Sequence, residues 1–156
     1  MDRTLCPITI GRSWPAWALL LALLGGCSGA RPTALGVDQG RLAPCPPSPN
    51  CVSSDAHGEH AVEPLRLKVD PAQGWRAARD AVAALPRTRI VSETADYLHA
   101  ECESALFRFV DDLELHLRPA VIAVRSASRV GYSDLGVNRR RIEALRESLE
   151  KDGVIR

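Results

Sequence analysis

Between residues 65 and 153 the apolar positions change period in a regular way. Leu65, Leu67 and Val69 alternate with Arg66 and Lys68, which predicts a half-buried strand. Asp70-Pro71-Ala72-Gln73 then reads as a helix start, with Asp70 as N-cap, Pro71 at the first helical position and Gln73 placed to complete a capping box. Trp75, Ala78, Val82 and Leu85 share one helical face, and Pro86 ends the helix. Strand-like segments follow at about residues 88–93, 96–104, 106–118 and 121–129. Asn138 is expected to cap a second helix whose apolar stripe is Ile142, Leu145 and Leu149, with Gly153 near its end. This β-α-β-β-β-β-α order predicts an α+β domain over residues 65–153, with an antiparallel sheet and both helices packed on one face.

The earlier part of the chain carries a different pattern. Trp14 to Leu24 is an apolar run of 11 residues behind Arg3 and Arg12. Such a run is too short to span hydrocarbon, which takes about 20 residues, and it suits a signal peptide over residues 1–26. It ends in Leu24-Gly25-Gly26-Cys27, which resembles a lipobox, a branched apolar residue and two small ones before an acylated thiol. Cys27 is therefore expected to carry diacylglycerol on sulfur and a further acyl chain, such as palmitate, on its freed amine. Two or three chains, at about 0.8 kcal/mol per buried CH₂, hold a protein on a membrane where one does not. Ser28 rather than an aspartate follows Cys27, which favours the outer membrane, facing the periplasm, in a cell that has two. Residues 28–64 hold six of the eleven prolines and no sustained apolar period, so 27–64 reads as a lipidated N-terminus and Pro-rich tether.

Charge narrows the function classes. Cleavage after residue 26 removes Arg3, Arg12 and Asp2, leaving 18 basic and 18 acidic side chains. A neutral domain argues against nucleic acid as a partner and against polybasic attachment to anionic lipid. In a chain bound for an oxidising compartment, Cys45 and Cys51, five turn-prone residues apart, suit a local disulfide. Pairing of either with Cys102, or a redox-active thiol, are the alternatives. Asp55, His57, Glu59 and His60 lack a known metal-ligand spacing and read as solvated linker, so no metal and no cofactor is assigned.

Strand register then locates an acid in an apolar row. Phe107, Phe109, Asp111, Leu113, Leu115 and Leu117 share one side of the long strand, and that side must face inward. The link through Pro119-Ala120 suits a type I turn over residues 118–121. Leu117 then lies opposite Ile122, Leu115 by Val124, Leu113 by Ser126 and Asp111 by Ser128, with Glu114 facing Arg125 outward. A buried carboxylate needs hydrogen bonds, a cation or a proton. Candidates crowd the segment that follows, which carries Ser126, Ser128, Arg129, Tyr132, Asp134, Asn138, Arg139 and Arg141.

Three arginines opening a helix are unfavourable against its partial positive charge, so something negative is expected there. One reading is that Asp111, Asp112 and Asp134 pair with the arginines and lock the corner. Another is an anion site of helix N–H groups and arginine forks, serving a non-catalytic envelope module for a small anionic or amphiphilic ligand or a partner protein. A hydrolase using Asp111 or Asp112 with Ser126 or Ser128 is a weaker alternative. The chain has no G-x-S-x-G turn, and His116 and His99 both fall on the polar side.

Ser48-Pro-Asn-Cys-Val-Ser-Ser54, Phe109-Val-Asp-Asp112 and the run Ser126-Ala-Ser-Arg-Val-Gly-Tyr-Ser-Asp-Leu-Gly-Val-Asn-Arg-Arg-Arg141 together resemble the bacterial and plastid family DUF1499, a domain of unknown function, over residues 44–150. The resemblance implies no reaction, but it does imply frequent export or lipid anchoring. Cys102 shares the face of Leu98 and Ala100, which suits an inert buried thiol and leaves Cys45 and Cys51 to each other.

Overall fold

The pattern after residue 65 is realised closely in the computed structural model, which describes residues 29–156. The expected signal peptide over 1–26 and Cys27 lie outside the described residues. In chain order the elements are β1 (Val37–Asp38), β2 (Arg41–Leu42), β3 (Cys51–Ser53), β4 (Leu65–Arg66), α1 (Pro71–Ala84), β5 (Thr88–Glu93), β6 (Tyr97–Glu103), β7 (Val110–Leu117), β8 (Val121–Ser128) and α2 (Val137–Lys151). β1 and β2 form a separate hairpin. The main sheet runs β3-β8-β7-β6-β5, with β4 also paired to β8, and its ladders are antiparallel. The class is α+β.

The register is the expected one. Asp111 pairs with Ser128, Leu113 with Ser126, Glu114 with Arg125, Leu115 with Val124 and Leu117 with Ile122. The Arg118 N–H donates to the Val121 carbonyl at 2.8 Å and closes the turn. Leu98, Ala100 and Cys102 of β6, Leu113 and Leu115 of β7, and Ile122 and Val124 of β8 share one face. Trp75, Ala78 and Val82 of α1 and Ile142, Leu145 and Leu149 of α2 pack on it. Asp70 caps α1 as its sequence predicts, accepting from the amides of Ala72 and Gln73.

Three local expectations are corrected. Asn138 does not cap α2: the N-cap is Gly136, in the left-handed conformation at φ 79°. The capping carboxylate belongs to Asp134, which accepts from the Gly136 and Asn138 amides, each at 2.8 Å. The long strand begins only at Val110, because residues 104–109 close a loop in which the Ser104 N–H donates to the Phe109 carbonyl and the Phe109 N–H to Ser104 Oγ. Phe107 and Phe109 consequently escape the inward row and are exposed. The strand expected over 65–69 is β4 alone, followed by a bridge from Leu67 to Ile155. Val154 and Ile155 are buried, so the folded unit runs past residue 153.

The largest correction concerns the expected tether. Asn50, Cys51, Val52 and Ser53 are buried, and β3 lies along the edge of β8 beside β4. Cys45 and Cys51 form the local disulfide, with Cα atoms 5.6 Å apart, while Cys102 is a buried free thiol. Upstream, residues 29–43 strap the outer face of the sheet. Arg31 reaches Glu101 at 2.6 Å, the Gly36 N–H donates to Glu114 at 2.8 Å and the Leu42 N–H donates to Asp55 at 3.0 Å. That face, expected to be solvated, is covered: Glu114 is 0% exposed, and His99, Asp112, His116 and Arg125 are buried with it. Asp55 and His60, read as linker, are tied in as well, the first to Arg118 and the second to the Cys51 carbonyl.

Candidate functional site

The residues expected at one corner separate onto two faces, because alternate side chains of a strand point in opposite directions. On the inner face Asp111 accepts from Arg141 at 2.6 Å. Arg141 also donates to Ser126 Oγ at 2.8 Å and Asn138 Oδ1 at 2.6 Å. The buried Asn138 uses its whole amide. Its Oδ1 accepts from the Ser126 hydroxyl at 2.6 Å, and its Nδ2 donates to Ser128 Oγ at 2.9 Å and the Asn50 carbonyl at 3.0 Å. Such a saturated amide holds strand, helix and the segment before β3 in one geometry.

On the outer face Asp112 accepts from Arg129 at 2.7 and 2.9 Å and meets His99 Nε2 at 2.7 Å. Arg129 bridges onward to Glu101 at 2.6 Å. Burial alone would raise the carboxyl pKa of both acids, but the arginines outweigh it: Asp112 falls below the usual range and Glu101 falls to about 2. The Asp112 hydrogen bonds in turn raise the Arg129 pKa. A second buried pair, Arg125 with Glu114 at 2.8 Å, also receives the Tyr97 hydroxyl. Burial, then the Glu114 charge, pushes the Tyr97 phenol far up.

The start of α2 is equally occupied. The Asp134 carboxylate accepts from the Gly136 and Asn138 amides, and Arg139 donates to the carbonyls of Ala61 and Glu59 at 2.9 and 2.7 Å. Arg140 turns back to the Leu135 carbonyl at 2.9 Å. The arginines that opened the helix are thus used internally. Tyr132 stands apart, 77% exposed. Among the described residues, neither Ser126 nor Ser128 is hydrogen-bonded to a carboxylate or imidazole, so no activated hydroxyl is assembled.

What strand parity missed is an apolar cleft beside the inner corner. It has a volume of about 460 Å³, within the usual range for ligand pockets. Its walls are the 104–109 loop, with Leu106, Phe107 and Phe109, and the 129–137 loop, with Val130, Leu135 and Val137. Asp111, Ser128, Ser104, Ser133 and Asp134 are its polar lining. Leu106 is 78% exposed and Leu135 84%, and the rings of Phe107 and Phe109 stack at 5.6 Å. Leu135 and Arg108 are held at φ 53° and 56°, a left-handed region that side chains other than glycine rarely adopt. The sequence signal for Leu135 is its place between Asp134 and Gly136, where a turn keeps an apolar side chain out of any core.

With this geometry in hand, the sequence profile of the family described as protein of unknown function (DUF1499) matches residues 41–149. The chain belongs to that family. Among curated proteins none matches. The DUF1499 match begins at β2, so it takes in β3 and the disulfide that stood in the expected tether, and it ends within α2. Both polar networks and both walls of the cleft lie inside it.

Proposed function

We propose that this DUF1499 protein is an exported lipoprotein, acylated at Cys27, whose domain is a non-catalytic binding module for a single-chain amphiphile. Where the cell has two membranes, the outer one, on its periplasmic side, is its expected place. The observation that carries the binding role is the cleft between the 104–109 and 129–137 loops, mostly apolar with a few polar groups among its lining. Ser128 lines the cleft and accepts a hydrogen bond from Asn138, and its own hydroxyl proton is available to an ester or phosphate oxygen there. The arginines are engaged with protein partners, which favours an amphiphile over a small free anion.

The anchor and the cleft are tested separately. Mass spectrometry of the full chain recovered from bacterial membranes is expected to show diacylglycerol on Cys27, and Cys27→Ala to abolish it. For the cleft, palmitate and lysophosphatidylcholine are titrated against the purified protein while its melting is followed. A ligand at about 100-fold its Kd adds about 2.7 kcal/mol of stability. No change in melting with either compound would overturn the binding role.

A further inference from the structure

The path of the chain into the domain says which way the domain faces. The first described residues do not trail away from the fold: a Cβ placed on Gly29 would come within 2.9 Å of Arg129 Cβ and Val130 Cγ1, and its φ of 66° is one that glycine adopts freely. Val130 also lines the apolar cleft. Cys27 precedes Gly29 by two residues, and consecutive Cα atoms are about 3.8 Å apart, so the chain reaches at most about 8 Å from Gly29 to the acylated residue. Leu106, Phe107, Tyr132 and Leu135 are exposed on the loops around this same end.

We propose that this apolar end rests on the bilayer to which Cys27 is tied, with Leu106, Phe107 and Leu135 seated in the lipid interface and the cleft opening onto the leaflet. The inference rests on the acylation of Cys27 proposed above. The short run of chain from Cys27 to Gly29 keeps this end of the domain near the acylated residue. A tether of nearly 40 residues would have left its orientation free, whereas the chain is tied to the outer face of the sheet from Arg31 onward. The Leu135 side chain is outside the core and gains burial only against an apolar partner. The contact is apolar rather than electrostatic, since the domain after Cys27 is balanced in charge.

The experiment places an indole at the proposed contact. The full chain carrying Phe107→Trp, and separately Leu135→Trp, is reconstituted in phosphatidylcholine vesicles with and without brominated acyl chains, with the wild-type chain as the reference for Trp75. A side chain seated about 5–10 Å into the headgroup and acyl boundary should have its emission quenched roughly twofold by the bromines. The quenching should be unchanged by added phosphatidylglycerol or salt, and lost when Leu106→Glu is combined with either reporter. Mass spectra of the same samples report on Cys27. Indoles unquenched over an acylated Cys27 overturn the orientation and leave the anchor standing. An unacylated Cys27 overturns both. Dimers with unquenched indoles would assign the patch to a second copy of the chain and also overturn it. The two reporters stand on different loops, so a fold disturbed by one substitution leaves the other to decide.

Discussion

Asp111 and Asp112 are neighbours in the chain and serve opposite faces of one sheet. Asp111 lies among aliphatic side chains under the helices and needs one arginine, Arg141, and the Asn138 amide beside it. Asp112 lies on a face that is buried yet largely polar, where His99, Arg129, Glu101, Glu114 and Arg125 are covered by a strap of chain. The inner face is held by apolar burial with a single polar corner. The outer face is held by mutual pairing of charges, whose desolvation is tolerable only while each keeps its partner. A thin irregular segment can therefore cover a charged sheet face, provided the ion pairs beneath it are complete.

The sharpest challenge to this contrast is removal of one buried cation from each side. Arg129→Ala removes the guanidinium that Asp112 and Glu101 share, leaving Asp112 to His99 and Glu101 to Arg31 and Arg89, and is expected to cost about 3–5 kcal/mol in urea unfolding. Arg141→Ala strands Asp111 alone and should cost less. Equal and small losses, below about 1 kcal/mol as for surface pairs, would show the outer face to be effectively solvated.

Acid should act next most strongly, and on the outer face. Glu101 falls from 4.5 to about 2, and Asp112 and Asp55 are also lowered, each by arginine partners that outweigh burial. A depressed acid contributes stability that is complete above its unfolded pKa and is lost as pH falls through the folded one. Burial and Arg118 lower the His116 pKa, so its protonation on acidification acts in the same direction. Stability should therefore decline as pH drops below about 6, with the main loss between about 4.5 and 2, on the order of 3 kcal/mol from Glu101. Arg129→Ala should flatten that profile when unfolding is followed against pH.

Leu42→Ala tests the strap itself. Leu42 is buried and its amide holds Asp55, so the substitution should cost about 2 kcal/mol by thermal unfolding. A neutral result would mean that the strap follows the outer face without stabilising it. The smallest effect is expected at the apolar end: Leu135→Ser and Phe107→Ser should change stability by no more than about 0.5 kcal/mol, because neither side chain is buried. Calorimetry that found a larger loss would make the cleft walls part of the core rather than a surface kept for a partner.

The register of β7 against β8 was legible because a short turn and strict alternation leave a single pairing that keeps both faces consistent, and Asp111 opposite Ser128 follows from it. The identity of its partner was not legible. Arg139, Arg140 and Arg141 are equivalent in sequence, and only the rotation of α2 brings Arg141 over Asp111 while turning Arg139 to Ala61 and Glu59. Residues 28–64 read as tether because prolines punctuate them and β3 is three residues long, too short to show a period. Phe107 and Phe109 were assigned inward by parity that ends at Val110, where the ladder ends.

Local rules thus suffice for this chain wherever partners are near in sequence. Helix capping by Asp70, the alternation of the central strands and the Cys45–Cys51 closure all act over a few residues. Burial of the outer face, the choice of Arg141 and the opening of a cleft between two loops depend on segments separated by about 20 residues or more. No local preference encodes such contacts: they form only when the packed sheet has removed water from around the charges and left each one partner within reach.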